Sequence, residues 1–197
     1  LNLLNLTPVT GSLTVSAQIV TPQTAAVPGN YQDSYTTATA LVTLNPGLLF
    51  PPTTCGDTVA ARLPFTVSAT VSKQCNITSA TDISFAPARA TGRNLTASNT
   101  VGVACSNNTP YTIGLQPSNG NTAGSAVMAG TGSNTDKVPY QLSSTPGPSG
   151  TVWGNSSLNT VAGNGTGTTT TYPVYATVPS ANYTPDNYAD TVTIAVT

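Results

Sequence analysis

Apolar and polar positions alternate along most of this chain. Leu13, Val15, Ala17 and Ile19 alternate with small polar residues, and so do Phe65, Val67, Ala69 and Val71, leading through Lys73 to Cys75. The same period recurs at Val101, Val103 and Cys105, at Tyr111, Ile113 and Leu115, and at Val138, Tyr140 and Leu142. A period of two predicts half-buried β-strands. Further strands are expected over Tyr31–Leu44, Thr58–Pro64, Thr170–Val178 and Ala189–Thr197, with Ile83 and Phe85 continuing the Phe65 strand after a break. Pro, Gly and Asn punctuate these runs. They predict loops over Pro117–Asp136 and around Trp153, which lies between Pro146–Gly150 and Gly163–Gly167. No long helical period appears, so the chain is expected to be all-β.

One pattern occurs twice with identical spacing. Pro22, Pro28, Asn30, Tyr31, Asp33 and Thr36 return as Pro179, Pro185, Asn187, Tyr188, Asp190 and Thr193, and apolar parity upstream matches too. Both copies read as strand, turn, strand. The second copy follows a long strand-rich stretch, whereas the first follows only a short one. The expected organisation is therefore residues 1–62 as the closing part of one β-domain whose N-terminal portion is missing, then residues 63–197 as a second domain of the same type.

Composition narrows the function. The 197 residues include only five basic and six acidic ones, with no Glu and no His, and a net charge of −1. So few scattered cations cannot neutralise a phosphate backbone, which excludes nucleic acid as a partner. Without His or Glu there is no Ser-His-Asp triad and no His-based zinc site. Asp33 and Asp190 occupy equivalent repeat positions and read as structural turn residues rather than a glycosidase pair. An enzyme is not expected, and neither is a cofactor or a metal. No run reaches the roughly 20 apolar residues of a membrane helix.

Of the three cysteines, Cys75 and Cys105 each close an alternating run, and a bridge between neighbouring strands is the economical reading. It would close a loop of about 30 residues and stabilise by roughly 3–4 kcal/mol in the chain-entropy treatment. That implies an oxidising compartment. Cys55 is then left over, and its partner is expected in the missing part of the first domain.

Several motifs resemble the spore coat protein U-like pilins of archaic chaperone-usher pili. They are F-T-V-S-A-T-V-S-K-Q-C ending at Cys75, S-A-T-D-I-S-F, V-G-V-A-C ending at Cys105, V-W-G-N around Trp153, and the closing D-N-Y-A-D-T-V-T-I-A-V-T. The resemblance covers Leu63 to Thr197. It departs before the Trp, where family members often carry Y-x-L-Y-x-D-x-x-R and this chain has Y-Q-L-S-S-T-P-G-P-S.

The resemblance implies an immunoglobulin-like β-sandwich pilin fold that lacks its last strand. An immunoglobulin-like sandwich needs about seven strands, and the residues after Leu63 supply six. In the family, the gap is filled by an extended segment from a periplasmic chaperone and later from the next pilin subunit, delivered through an outer-membrane usher. An open sandwich exposes unpaired backbone and an apolar groove, and an added strand satisfies both. The groove is expected to involve Phe65, Val67, Val71, Val192, Ile194 and Val196. Four or five donor side chains at about 1.5–3 kcal/mol each would contribute roughly 6–15 kcal/mol gross.

A domain in front of the pilin domain resembles the two-domain tip adhesins of Csu-type pili, which attach to abiotic surfaces through apolar finger loops and start biofilms. Such a protein works outside the cell, after transit through the periplasm. Two leucine-rich stretches suit that role. Leu3, Leu4 and Leu6 open the chain, while Leu48, Leu49 and Phe50 sit between prolines, a poor setting for a central strand. If strands alternate in direction, both loops fall at the pole away from the second domain. An exposed apolar patch of this size marks a contact site; the other reading is that these side chains fill the first domain's own core. A glycan-binding tip and a structural or adaptor pilin are the remaining alternatives, with an abiotic or host surface as the partner in an adhesive role.

Overall fold

The computed structural model describes residues 12, 14–44 and 56–197. Among these, every helix-or-strand element is a strand. The strands are β1 (Gly29–Tyr35), β2 (Leu41–Leu44), β3 (Thr58–Arg62), β4 (Phe65–Val71), β5 (Cys75–Ala80), β6 (Arg93–Cys105), β7 (Pro110–Pro117), β8 (Ser125–Ala129), β9 (Lys137–Ser143), β10 (Val161–Asn164), β11 (Thr169–Ser180) and β12 (Val192–Val196). By contacts the chain forms two compact units. The first falls within Leu1–Gln23 and Gly29–Val71, and the second comprises Thr24–Pro28 and Ser72–Thr197.

In the first unit β1 pairs antiparallel with β4, and β2 with β3. The β1–β4 register sorts the residue types by face. Tyr31 opposite Ala69, Asp33 opposite Val67 and Tyr35 opposite Phe65 share one face, where the Tyr35 and Phe65 rings stack at 4.7 Å. The other face is wholly polar: Asn30 opposite Thr70, Gln32 opposite Ser68, Ser34 opposite Thr66. Thr70 donates to Asn30 at 2.9 Å, tying that face together. The alternating run expected as one strand from Phe65 to Cys75 is thus two strands, separated at Ser72–Gln74, and its first half zips onto β1.

The strand expected over Leu13–Ile19 does not form among the described residues, and Val15 and Ile19 are more than 60% exposed, at 63% and 64%. Alternation decides which side chains share a face, but a strand also needs a neighbour to complete its ladder. Among the described residues, none pairs with this stretch.

The second unit packs two sheets. One has five strands in the order β5-β6-β11-β9-β8, the other three in the order β10-β7-β12. Inward-pointing residues of both sheets form one core: Val101 and Val103 of β6, Leu142 of β9, Val174 and Val178 of β11, Ile113 and Leu115 of β7. The alternation behind these assignments is the one read from the sequence. Cys75 lies opposite Cys105 in the β5–β6 ladder and the two are disulfide-bonded. The residues after Leu63 form nine strands where six were expected, since the first expected strand is split into β4 and β5 and two are added. The two additions, β8 and β10, fall in segments read as loop, because small residues and glycines hide their period. Gly163 in β10 has a packing reason. A side chain there would meet the Tyr172 hydroxyl at 2.3 Å and the Tyr111 ring at 2.5 Å.

Trp153 lies outside the strands and is fully buried. Its backbone N–H donates to Leu142 of β9 at 3.0 Å, and its indole N–H donates to the Ile113 carbonyl of β7 at 2.9 Å. One residue therefore links both sheets, by backbone to one and by side chain to the other, and its ring is a large apolar body with its single donor satisfied.

Candidate binding groove

β12 is an edge strand of the three-stranded sheet, paired only to β7. Thr197 and Thr112 exchange both backbone hydrogen bonds, at 3.0 and 2.7 Å. Antiparallel ladders alternate such pairs with non-bonded ones. It follows that Thr193 and Ala195 turn their amide groups toward β7, while those of Val192, Ile194 and Val196 face the open side. The side chains of these three residues are half-buried and pack against the core. The last strand of the chain thus presents unmade backbone bonds beside partly covered apolar side chains.

Along this edge runs a groove of about 890 Å³. Val192 and Ile194 form part of its wall, and its floor includes Leu115 of β7, Met128 of β8, Leu142 of β9 and Val174 and Val178 of β11. Ile83 and Phe85, expected to continue a strand, instead belong to an irregular segment that lines the groove and packs on the core. Phe65, Val67 and Val71 do not line this groove; they lie on β4, on the apolar face of the β1–β4 ribbon. Val196 is on β12, half-buried, outside the lining.

The end of the groove where β12 begins is polar and tightly bonded. Tyr140 donates to the Asp190 carboxylate at 2.7 Å, and Ser118 donates to its other oxygen. Asp186 accepts from the Thr131 N–H at 2.8 Å, from the Thr131 hydroxyl, and from the Asn134 amide at 2.8 Å. The Thr131 and Asn134 side-chain bonds are the main reason its carboxyl is held down to about 2. Burial, reinforced by the Asp190 bond, pushes the Tyr140 hydroxyl well above the usual tyrosine range. Tyr188 donates to the Thr184 carbonyl at 2.6 Å. Asp190 accordingly has a structural duty, but it lies between the bridged Ala189 and β12 rather than in the turn the repeat suggested. Its counterpart Asp33 lies within strand β1 instead, so the repeated motif adopts two different local structures.

The groove end was legible only as the repeat motif at Asn187, Tyr188 and Asp190. Nothing local marked Tyr140 as its partner, 50 residues away. A glycan-binding role would call on exposed aromatic rings, but Trp153 and Tyr111 are in the core and Tyr183 is half-buried against it. Leu3, Leu4, Leu6, Leu48, Leu49, Phe50 and Cys55 lie outside the described residues. Among the described residues no cluster of His, Cys, Asp or Glu has the makings of a metal site, and no helix is long and apolar enough to cross a membrane.

Residues 61–195 match the Spore Coat Protein U domain family. Among solved structures, the chain is similar to the CsuC–CsuE chaperone–tip adhesion subunit pre-assembly complex from archaic chaperone-usher Csu pili of Acinetobacter baumannii, with 25% identity and a TM-score of 0.47. That similarity covers 69% of this chain and 43% of the other. It is also similar to a chaperone–tip adhesin complex of CFA/I fimbriae biogenesis, with 16% identity and a TM-score of 0.42, covering 72% of this chain and 47% of that one. The chain thus spans less than half the length of either structure. No curated protein matches it.

Proposed function

Because the chain belongs to the Spore Coat Protein U domain family, we propose that it is a subunit of a chaperone-usher pilus, a tip adhesin completed by a strand donated from another polypeptide. The observation that carries this reading is the free edge of β12 beside an apolar groove. Val192, Ile194 and Val196 offer three residues' worth of backbone bonds to an incoming strand, and the groove floor offers places for its alternate side chains. An edge with an apolar flank invites aggregation unless something covers it. A periplasmic chaperone covers it first in this reading, then the next pilin subunit after passage through an outer-membrane usher. The Cys75–Cys105 bond suits such an oxidising route.

The adhesive role rests on the apolar stretches Leu3, Leu4, Leu6 and Leu48, Leu49, Phe50, read as finger loops at the outer pole of an extracellular pilus tip. Contact with abiotic, hydrophobic surfaces, and biofilm formation from it, would follow from burying those side chains, with many pili per cell multiplying a weak single contact.

Two experiments test the two halves. Thermal unfolding of the purified chain with an extended peptide of alternating Val and Thr should rise by several degrees, and a Ser-for-Val control peptide should do nothing; no rise with the Val peptide would remove the donor-strand reading. Cells displaying the subunit with Leu48, Leu49 and Phe50 changed to Ser should lose attachment to hydrophobic plastic at constant pilus number. Retained attachment would return these residues to the core and favour the adaptor role.

A further inference from the structure

The charges along the groove are one-sided. Asp82, Asp186 and Asp190 line it, half of the six acidic residues in the chain, whereas none of the five basic residues does. Arg89, between lining Ala88 and Ala90, and Lys137, beside lining Val138, come nearest in sequence, but neither is itself part of the lining. Two of the three carboxylates, Asp186 and Asp190, stand at the end where β12 begins. The same end carries Tyr183 and Tyr188, half-buried, with their rings edge to face at 6.4 Å.

Carboxylates beside aromatic rings are the surroundings that favour a guanidinium or an ammonium group, through ion pairing and attraction to the ring faces. An anionic or neutral polar side chain would gain neither. Leu115, Met128, Leu142, Val174 and Val178 give the groove an apolar floor, which suits alternate aliphatic side chains of an extended segment.

We propose that the donated strand is cationic: a segment of another polypeptide with apolar side chains at alternate positions and an Arg or Lys that seats against Asp186, Asp190, Tyr183 and Tyr188. This rests on the donor-strand reading and specifies its partner's chemistry. The bonds from Thr131 and Asn134 hold Asp186 ionised throughout the neutral range, so its charge is a fixed part of the site. Complementarity of this kind steers association and selects among partners more than it adds raw affinity.

The test uses the full chain and synthetic peptides with one alternating Val/Thr core and Arg, Gln or Glu at both ends, so that strand direction does not matter. At low salt the Arg peptide should bind about five-fold tighter than the Gln peptide, the size expected for two partly exposed ion pairs. The Glu peptide should be weakest. Raising the salt toward about 1 M should erase the ranking. Changing Asp186→Asn and Asp190→Asn, which leaves one acceptor oxygen at each position, should bring the Arg peptide's affinity down to that of the Gln peptide measured on the same variant. Equal binding of all three peptides at low salt would overturn the charge preference while leaving the donor-strand reading intact. Failure of every peptide to bind would overturn both.

Discussion

Tyr140 of β9 and Asp190, two residues before β12, meet across the two sheets of the second unit, the phenolic hydroxyl donating to the carboxylate at 2.7 Å. Tyr140 is 7% exposed, so this bond is made where water competes poorly. It anchors the entry to the strand whose other edge is open. Changing Tyr140→Phe keeps the ring and removes the bond, and should destabilise the fold by about 2 kcal/mol, since hydrogen bonds to charged groups are the stronger kind. Urea unfolding measures it. A pH readout accompanies the loss. Folding raises the Tyr140 pKa above its ordinary value of 10.0, so the unfolded chain ionises first, and the stability this residue confers is complete below pH 10 and declines as pH climbs beyond it. The Phe variant should have a flatter alkaline limb.

At the other sign of the pH scale stands Asp186, whose carboxyl is held down to about 2 from 3.8 by the Thr131 hydroxyl, the Asn134 amide and the Thr131 N–H. Asp136 is lowered as well, chiefly by the Thr184 N–H. The unfolded carboxylates take up protons first, so their contribution is complete above the ordinary carboxylate range and disappears as pH falls toward about 2. Changing Asp186→Asn should reduce the slope of stability against pH between about 4 and 2. Acid unfolding followed by circular dichroism would show this; an unaltered slope would mean that the loop bonds do not persist in solution.

The disulfide spans 30 residues. Reduction, or changing both cysteines to Ala, should lower stability by roughly 3–4 kcal/mol through the entropy returned to the unfolded chain. The strand pairing of β5 with β6 should survive at low temperature, because the ladder continues beyond Cys75–Cys105 to Ala80–Val101. Unfolding with and without reductant gives the number.

Trp153 is the chain's only Trp, which makes it a convenient reporter. Its fully buried position predicts blue-shifted emission that moves to longer wavelength on unfolding. Changing Trp153→Ala should cost about 3–5 kcal/mol, because it leaves a cavity and removes the indole bond to the Ile113 carbonyl.

How much of this was legible beforehand depends on range. The parity of Val101, Val103 and Cys105 correctly placed two of them in the core and the third in the disulfide, because side-chain alternation is a local property of the backbone. The segment Ser125–Ala129 was read as loop, since its small residues give no contrast between faces, yet it pairs with β9 along its length. The groove showed the same division: the period put Val192 and Ile194 on a strand, whereas nothing local marked Tyr140, Asp186 and Tyr183 as meeting at one end, because what brings them there is loop closure over many residues.

The sequence by itself determined an all-β chain, the positions of most strands, the cystine pair, and a composition poor in charge and lacking His and Glu. It did so because period, turn chemistry and residue type act over a few neighbours. Only the tertiary structure decided which strand keeps a free edge, that β4 zips onto β1, and that Trp153 bridges two sheets. Each of these is a choice among pairing partners of similar local character, and that choice is made by long-range contacts that no short stretch contains.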